Sequence, residues 1–87
     1  QNPVYLTNRG LQYLQQGMLD RALADFDRAI RLDPQHTAAY VGRAEAHARA
    51  GDRAAATTDL ERVIAVDPAN SQARRLRDEL AAAPAPG

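Results

Sequence analysis

A repeat of 34 residues constrains this chain more than anything else in it. Asp33-Pro34 returns as Asp67-Pro68, and the same shift superposes Arg9 on Arg43, Gly17 on Gly51, Ala22 on Ala56, Asp25 on Asp59, Arg28 on Arg62 and Ile30 on Ile64. Eight identities spread along the unit exclude a chance local match. A third register opens at Ser71, where Ala73, Arg77, Glu79 and Ala82 repeat Ala39, Arg43, Glu45 and Ala48 before Pro84 stops it.

Within each unit Gly17 or Gly51 breaks the pattern midway and an Asp-Pro pair closes it, which predicts two helices per unit and five in all. Asn2 caps the first, with Pro3 in the first turn where its missing N–H costs nothing, and this helix runs to about residue 16. The second covers 19–32, with Leu19, Leu23, Phe26 and Ile30 on one stripe and Asp20 placed favourably for the helix dipole. The third spans about 37–50. Asp52 caps the fourth, which carries Leu60, Val63 and Ile64 and ends near Val66; Asn70 caps the fifth, whose stripe is Ala73, Leu76 and Leu80.

Ordering a helical hairpin costs about 1.5 kcal/mol per residue, and one hairpin leaves the apolar sides of both helices bare unless something stacks on it. The units must therefore pack in series. The fifth helix is expected to cover the second unit while turning Arg74, Arg75, Asp78 and Glu79 outward. The predicted fold is all-α, a solenoid of two helix-turn-helix repeats (3–36 and 37–70) closed by a C-terminal capping helix (71–83). Residues 1–83 form one domain, and 84–87 read as an Ala-Pro tail or linker.

The residues just named resemble the tetratricopeptide repeat, whose pattern is W-x2-L-G-x2-Y, then A-x3-F, then P. The first unit answers with Leu6, Arg9-Gly10, Tyr13, Ala22, Phe26 and Pro34, the second with Tyr40, Arg43-Ala44, His47, Ala56, Leu60 and Pro68. Asn8-Arg9-Gly10 resembles the family's Asn-Arg-Gly variant. Gly10 and Ala44 permit close helix contact, Ala22 and Ala56 do the same from the partner helix, and larger groups fill between. Arg9 and Arg43 depart from the usual Leu, His47 replaces an aromatic, and Met18 is a weak cap for the second helix.

Composition narrows the function. Eleven Arg balance eleven Asp plus Glu, so the basic excess that phosphate binding leaves is absent and nucleic acid is not an expected partner. No run of apolar residues is long enough to enter a membrane, which predicts a soluble chain. No Cys is present, so disulfides, thiolate metal sites and cysteine nucleophiles are excluded. An Ala-rich, Lys-free composition fits a GC-rich, bacterial source, in cytoplasm or periplasm, and a start at Gln1 rather than Met fits an excised fragment.

Catalytic candidates are sparse. His36 falls in a turn and His47 at a packing position, and no ligand spacing joins either to a carboxylate cluster. Asp25 with Asp27, and Asp78 with Glu79, read as charges on solvated helix faces. The expectation is a non-enzymatic chain without cofactor or metal.

The resemblance implies instead a concave groove made by the first helix of each unit, binding a peptide or protein segment. It would expose Val4, Thr7, Asn8, Leu11 and Gln15, then Val41, Gly42, Glu45 and Arg49, then Gln72 and Arg75 from the capping helix. Leu11 and Val41 would form a small apolar floor, and Gly42 would leave space for one bulky ligand residue. Leu76 belongs first to the capping helix's own packing stripe. Some family members grip acidic C-terminal tails with Lys, Arg and Asn; the matching places here are Thr7, Leu11, Gly42, Gln72 and Leu76, none cationic, so such tails are not expected to bind. The expected function is an adaptor or scaffold; the alternative is self-association through the first unit's exposed sides or the Ala-rich third and fourth helices. Finally, Arg77 recurs on a helix with no partner after it, which predicts pairing with the preceding unit: Arg43 with Asp25 and Arg77 with Asp59.

Overall fold

Three of the helices begin where the sequence supplies a side-chain acceptor. Asn2 accepts from the Val4 amide (2.7 Å), Asp52 from Ala55 (3.1 Å) and Asn70 from Ala73 (3.0 Å). Met18 caps with no side-chain bond, as its thioether dictates. The computed structural model describes residues 2–82, and within them the chain forms α1 (Pro3–Gln15), α2 (Leu19–Leu32), α3 (Thr37–Arg49), α4 (Arg53–Val66) and α5 (Ser71–Ala82). The last residue of the predicted capping helix and the Ala-Pro tail lie outside the described residues. Gly17 (φ 76°) and Gly51 (φ 88°) take the left-handed conformation that ends α1 and α3 and turns the chain into the next helix.

Each helix packs on its successor, and α1 also touches α3 as α3 touches α5, whereas α2 and α4 do not approach one another among the described residues. The layer with the closer neighbours is the inner side of a curved array, so α1, α3 and α5 line its concave face. The shortest dimension, 16 Å between outermost Cα atoms, leaves room for two helix layers and no more.

The two joints between units are packed differently. At the first, Phe26 is fully buried with Leu14, Ala22 and Ala46. A Cβ added to Gly10 would lie 2.7 Å from its ring, and one added to Gly42 2.6 Å. The ring is thus held in a slot between two glycines, one from its own unit and one from the next. At the second joint the buried cluster is Tyr40, Val41, Ala44, Leu60, Val63 and Ala73 with Ala56, and Leu76 and Leu80 pack on it from α5. Leu60 and Leu76 hold the places of Phe26 and Gly42, 34 residues on.

The arginines correct the predicted pairing. Arg9 holds Asp25 through two bonds (2.7 and 2.8 Å), and Arg43 holds Asp59 likewise (2.8 Å each). Both pairs lie within a unit, because this arginine faces the second helix of its own hairpin. Arg77 has no such helix after it among the described residues and meets only its neighbour Asp78 (3.2 Å); Asp59 is not its partner. The contact between units does exist, but Arg43 makes it to Asp27 (3.0 Å), not to Asp25. Asp25 is also no solvated charge: it is buried, with Arg28 as a second, longer partner at 3.3 Å.

Candidate functional site

The inner layer sorts the predicted groove residues into two groups. Asn8, Leu11 and Gln15 on α1 and Gln72 and Arg75 on α5 are exposed, as is Val4 at the start of α1. Thr7, Val41 and Gly42 are buried. Val41 belongs to the core of the second joint, and the space expected at Gly42 is taken by the ring of Phe26. Gly42 therefore serves close packing between units, and the apolar groove residues that α1 offers are Leu11, 37% exposed, and Val4 at its start.

Arg49 and Glu45 occupy the middle of this face and are already engaged. The Arg49 guanidinium donates to the Glu45 carboxylate (2.7 Å) and to the carbonyl of Leu14 in the last turn of α1 (3.0 Å). One side chain thus adds a second bond to an end carbonyl of α1 that the Gly17 amide already donates to, and straddles the first joint. The bond spans 35 residues of sequence, and nothing local in the sequence signals it.

Elsewhere in both units, arginines lie over tyrosine rings. Arg9 lies between Tyr5 (5.4 Å) and Tyr13 (5.9 Å), and Tyr40 lies between Arg43 (5.5 Å) and Arg62 (4.9 Å). Tyr40 also donates its hydroxyl to the Pro34 carbonyl (3.0 Å), tying α3 to the turn before it. Hydrogen bonding to Asp25 and Asp59 holds the Arg9 and Arg43 guanidinium groups still further above the usual arginine range. These charges are structural pairs, and among the described residues no group of three or more His, Asp or Glu is placed to hold a metal ion.

Between α3 and α5 the concave side opens into a crevice of about 420 Å³. Ala48, Leu60, Leu76 and Leu80 form its apolar wall, and Glu45, Arg49 and Glu79 supply its charges. Leu76 serves both packing and lining. The crevice was missed from the sequence, although comparing Phe26 with Leu60 and Gly42 with Leu76 position by position would have pointed to it.

The family model described as tetratricopeptide repeat matches residues 6–81. The chain belongs to the tetratricopeptide repeat family. Serine/threonine-protein phosphatase 5 of Homo sapiens is 37% identical over 73 residues, covering 84% of this tetratricopeptide chain and 15% of the phosphatase. Cellulose synthase operon protein C of Escherichia coli (strain K12) is 33% identical over 63 residues, covering 72% of this chain and 5% of that protein. The chain thus corresponds to a small part of each of these relatives. Among solved structures, the second tetratricopeptide domain of human RPAP3, in complex with the HSP70 peptide SGPTIEEVD, superposes with a TM-score of 0.89 at 28% identity, over 94% of this chain and 68% of that one. The tetratricopeptide domain of Arabidopsis OM64 has the same fold, with a TM-score of 0.89 at 24% identity over 92% of this chain and 66% of that one. No helix among the described residues is long and apolar enough to cross a membrane.

Proposed function

We propose that this protein-interaction module is a non-enzymatic adaptor that holds a peptide segment of a partner along the face of α1, α3 and α5. The carrying observation is that these three helices lie side by side and leave Asn8, Leu11, Gln15, Gln72 and Arg75 uncovered, a mixture of apolar and polar groups suited to a peptide with both. The peptide complex of the RPAP3 domain supports the reading by fold and by 28% identity. With so few anchors, binding in the micromolar range is expected, about 8 kcal/mol. Zero net charge argues against nucleic acid. We keep the division into units at 3–36 and 37–70 with a capping helix at 71–83, and a bacterial source on composition.

The test is to select short peptides on the whole chain and map them by amide chemical shifts. Perturbations at Asn8, Leu11, Gln15, Gln72 and Arg75, lost in Leu11→Glu with the helix content unchanged, are expected. Perturbations confined to α2 and α4 would place binding on the outer layer and end this reading. The HSP70 tail itself is a useful control: Thr7, Leu11, Gly42, Gln72 and Leu76 carry no cation for its terminal carboxylate, so no carboxylate-dependent binding is expected.

A further inference from the structure

We propose that the crevice between α3 and α5 is a subsite for one aliphatic or aromatic side chain of a partner peptide with a Lys or Arg beside it. The inference rests on the groove reading above and assigns a chemistry to one part of it.

The crevice exists because the second joint lacks three things found at the first. Leu60 replaces the ring of Phe26, Ala48 stands where the first unit has Leu14, and the residue 34 positions after Arg49 is Ala83, so no second guanidinium can cross this joint. The apolar wall of Ala48, Leu60, Leu76 and Leu80 is left open to the concave side, with a volume of about 420 Å³. That size accepts a large side chain and its flanking backbone.

Charge selects the occupant. Two carboxylates, Glu45 and Glu79, and one guanidinium, Arg49, line the crevice. Arg49 is committed to Glu45 and to the Leu14 carbonyl, while Glu79 is exposed and forms no ion pair among the described residues. An entering basic residue finds the carboxylate of Glu79, which has no ion-pair partner among the described residues, whereas an entering acid meets that same uncompensated charge, Glu45 being already paired with Arg49. This chain itself presents Arg31 beside Leu32, both exposed, so a second copy has the same chemistry and must be separated from a partner peptide.

The experiment uses the whole chain and two fluorescent peptides blocked at both ends, one with Leu flanked by Lys and one with Leu flanked by Glu. Anisotropy is expected to show the Lys peptide binding at least about fivefold tighter, with the difference shrinking as salt rises. Ala48→Leu, which restores the residue of the first unit and fills the crevice, should weaken the Lys peptide about tenfold. Glu79→Gln, at an exposed position, should weaken it about threefold. Circular dichroism melts of both variants should match the parent. Equal affinity for the two peptides, no binding of the Lys peptide, or indifference to both substitutions would overturn the proposal. If a peptide responds to Leu11→Glu but not to Ala48→Leu, the subsite is lost and the groove reading stands. A dimer in light scattering that dissociates on Ala48→Leu would give the crevice to a second copy and likewise overturn it.

Discussion

At the first joint between units, one aromatic ring is pressed into a slot made by two glycines; at the second, leucine meets leucine over a floor of alanines. Phe26 with Gly10 and Gly42 fills its space so closely that a single methyl group on either glycine would have to displace the ring. Leu60 with Leu76, Ala44 and Ala48 puts similar bulk at the same repeat positions but divides it more evenly, and the branched side chains leave a crevice. The difference teaches that a period fixes which positions meet and not how volume is shared between them. One joint is sealed and clamped by Arg49, and the other is open on the concave side.

Truncation gives the largest contrast. Phe26→Ala should destabilise by about 3–5 kcal/mol, because a fully buried ring is lost and the two glycines beside it bring no side chain of their own to fill the slot, and Leu60→Ala by about 2–4 kcal/mol. Urea melts of the two variants measure this, and a larger loss at Leu60 would break the comparison. The ion pairs come next. Asp59 has Arg43 alone as its ion-pair partner among the described residues, whereas Asp25 retains Arg28 when Arg9 is removed. Arg43→Met should therefore cost about 2 kcal/mol, less than a fully buried pair since the guanidinium is partly in solvent, and Arg9→Met should cost less than Arg43→Met in the same urea titration.

Adding one methyl group probes the sealed joint from the other side. Gly42→Ala is expected to destabilise by about 1–3 kcal/mol in spite of alanine's better helix propensity, and a Phe26→Leu background should relieve most of that loss. A double-mutant cycle by thermal unfolding reads the coupling, and simple additivity would show that ring and glycine do not compete for the same space. The smallest effect belongs to the contact between units. Asp27→Ala removes only the exposed partner of Arg43 and should change the unfolding midpoint by the equivalent of about 0–1 kcal/mol. A larger loss would make that ion pair, rather than Phe26, the main tie across the joint.

Much of the fold was legible because it rests on local chemistry. The caps Asn2, Asp52 and Asn70, the helix-ending Gly17 and Gly51 and the apolar stripes act within a few residues, and the 34-residue period extends them to the whole array. The candidate site was legible only in part. Asn8, Leu11, Gln15, Gln72 and Arg75 are exposed where the resemblance placed them, while Thr7, Val41 and Gly42 are turned into the interior. Helical periodicity gives the face of a helix to within a residue or so, and neighbouring positions on that boundary go to the core or to solvent according to what the adjacent helix presents.

The sequence by itself determined five helices, their order, their ends and the family, since each follows from short-range signals repeated at a fixed spacing. Only the tertiary structure decided which carboxylate each arginine meets, that Arg49 reaches back to Leu14, and that Gly42 lies under Phe26 while Leu76 and Leu80 border an opening. Those outcomes depend on the volumes and reach of side chains brought together from different helices. A period of 34 residues sets the positions, and packing across the joints sets the partners.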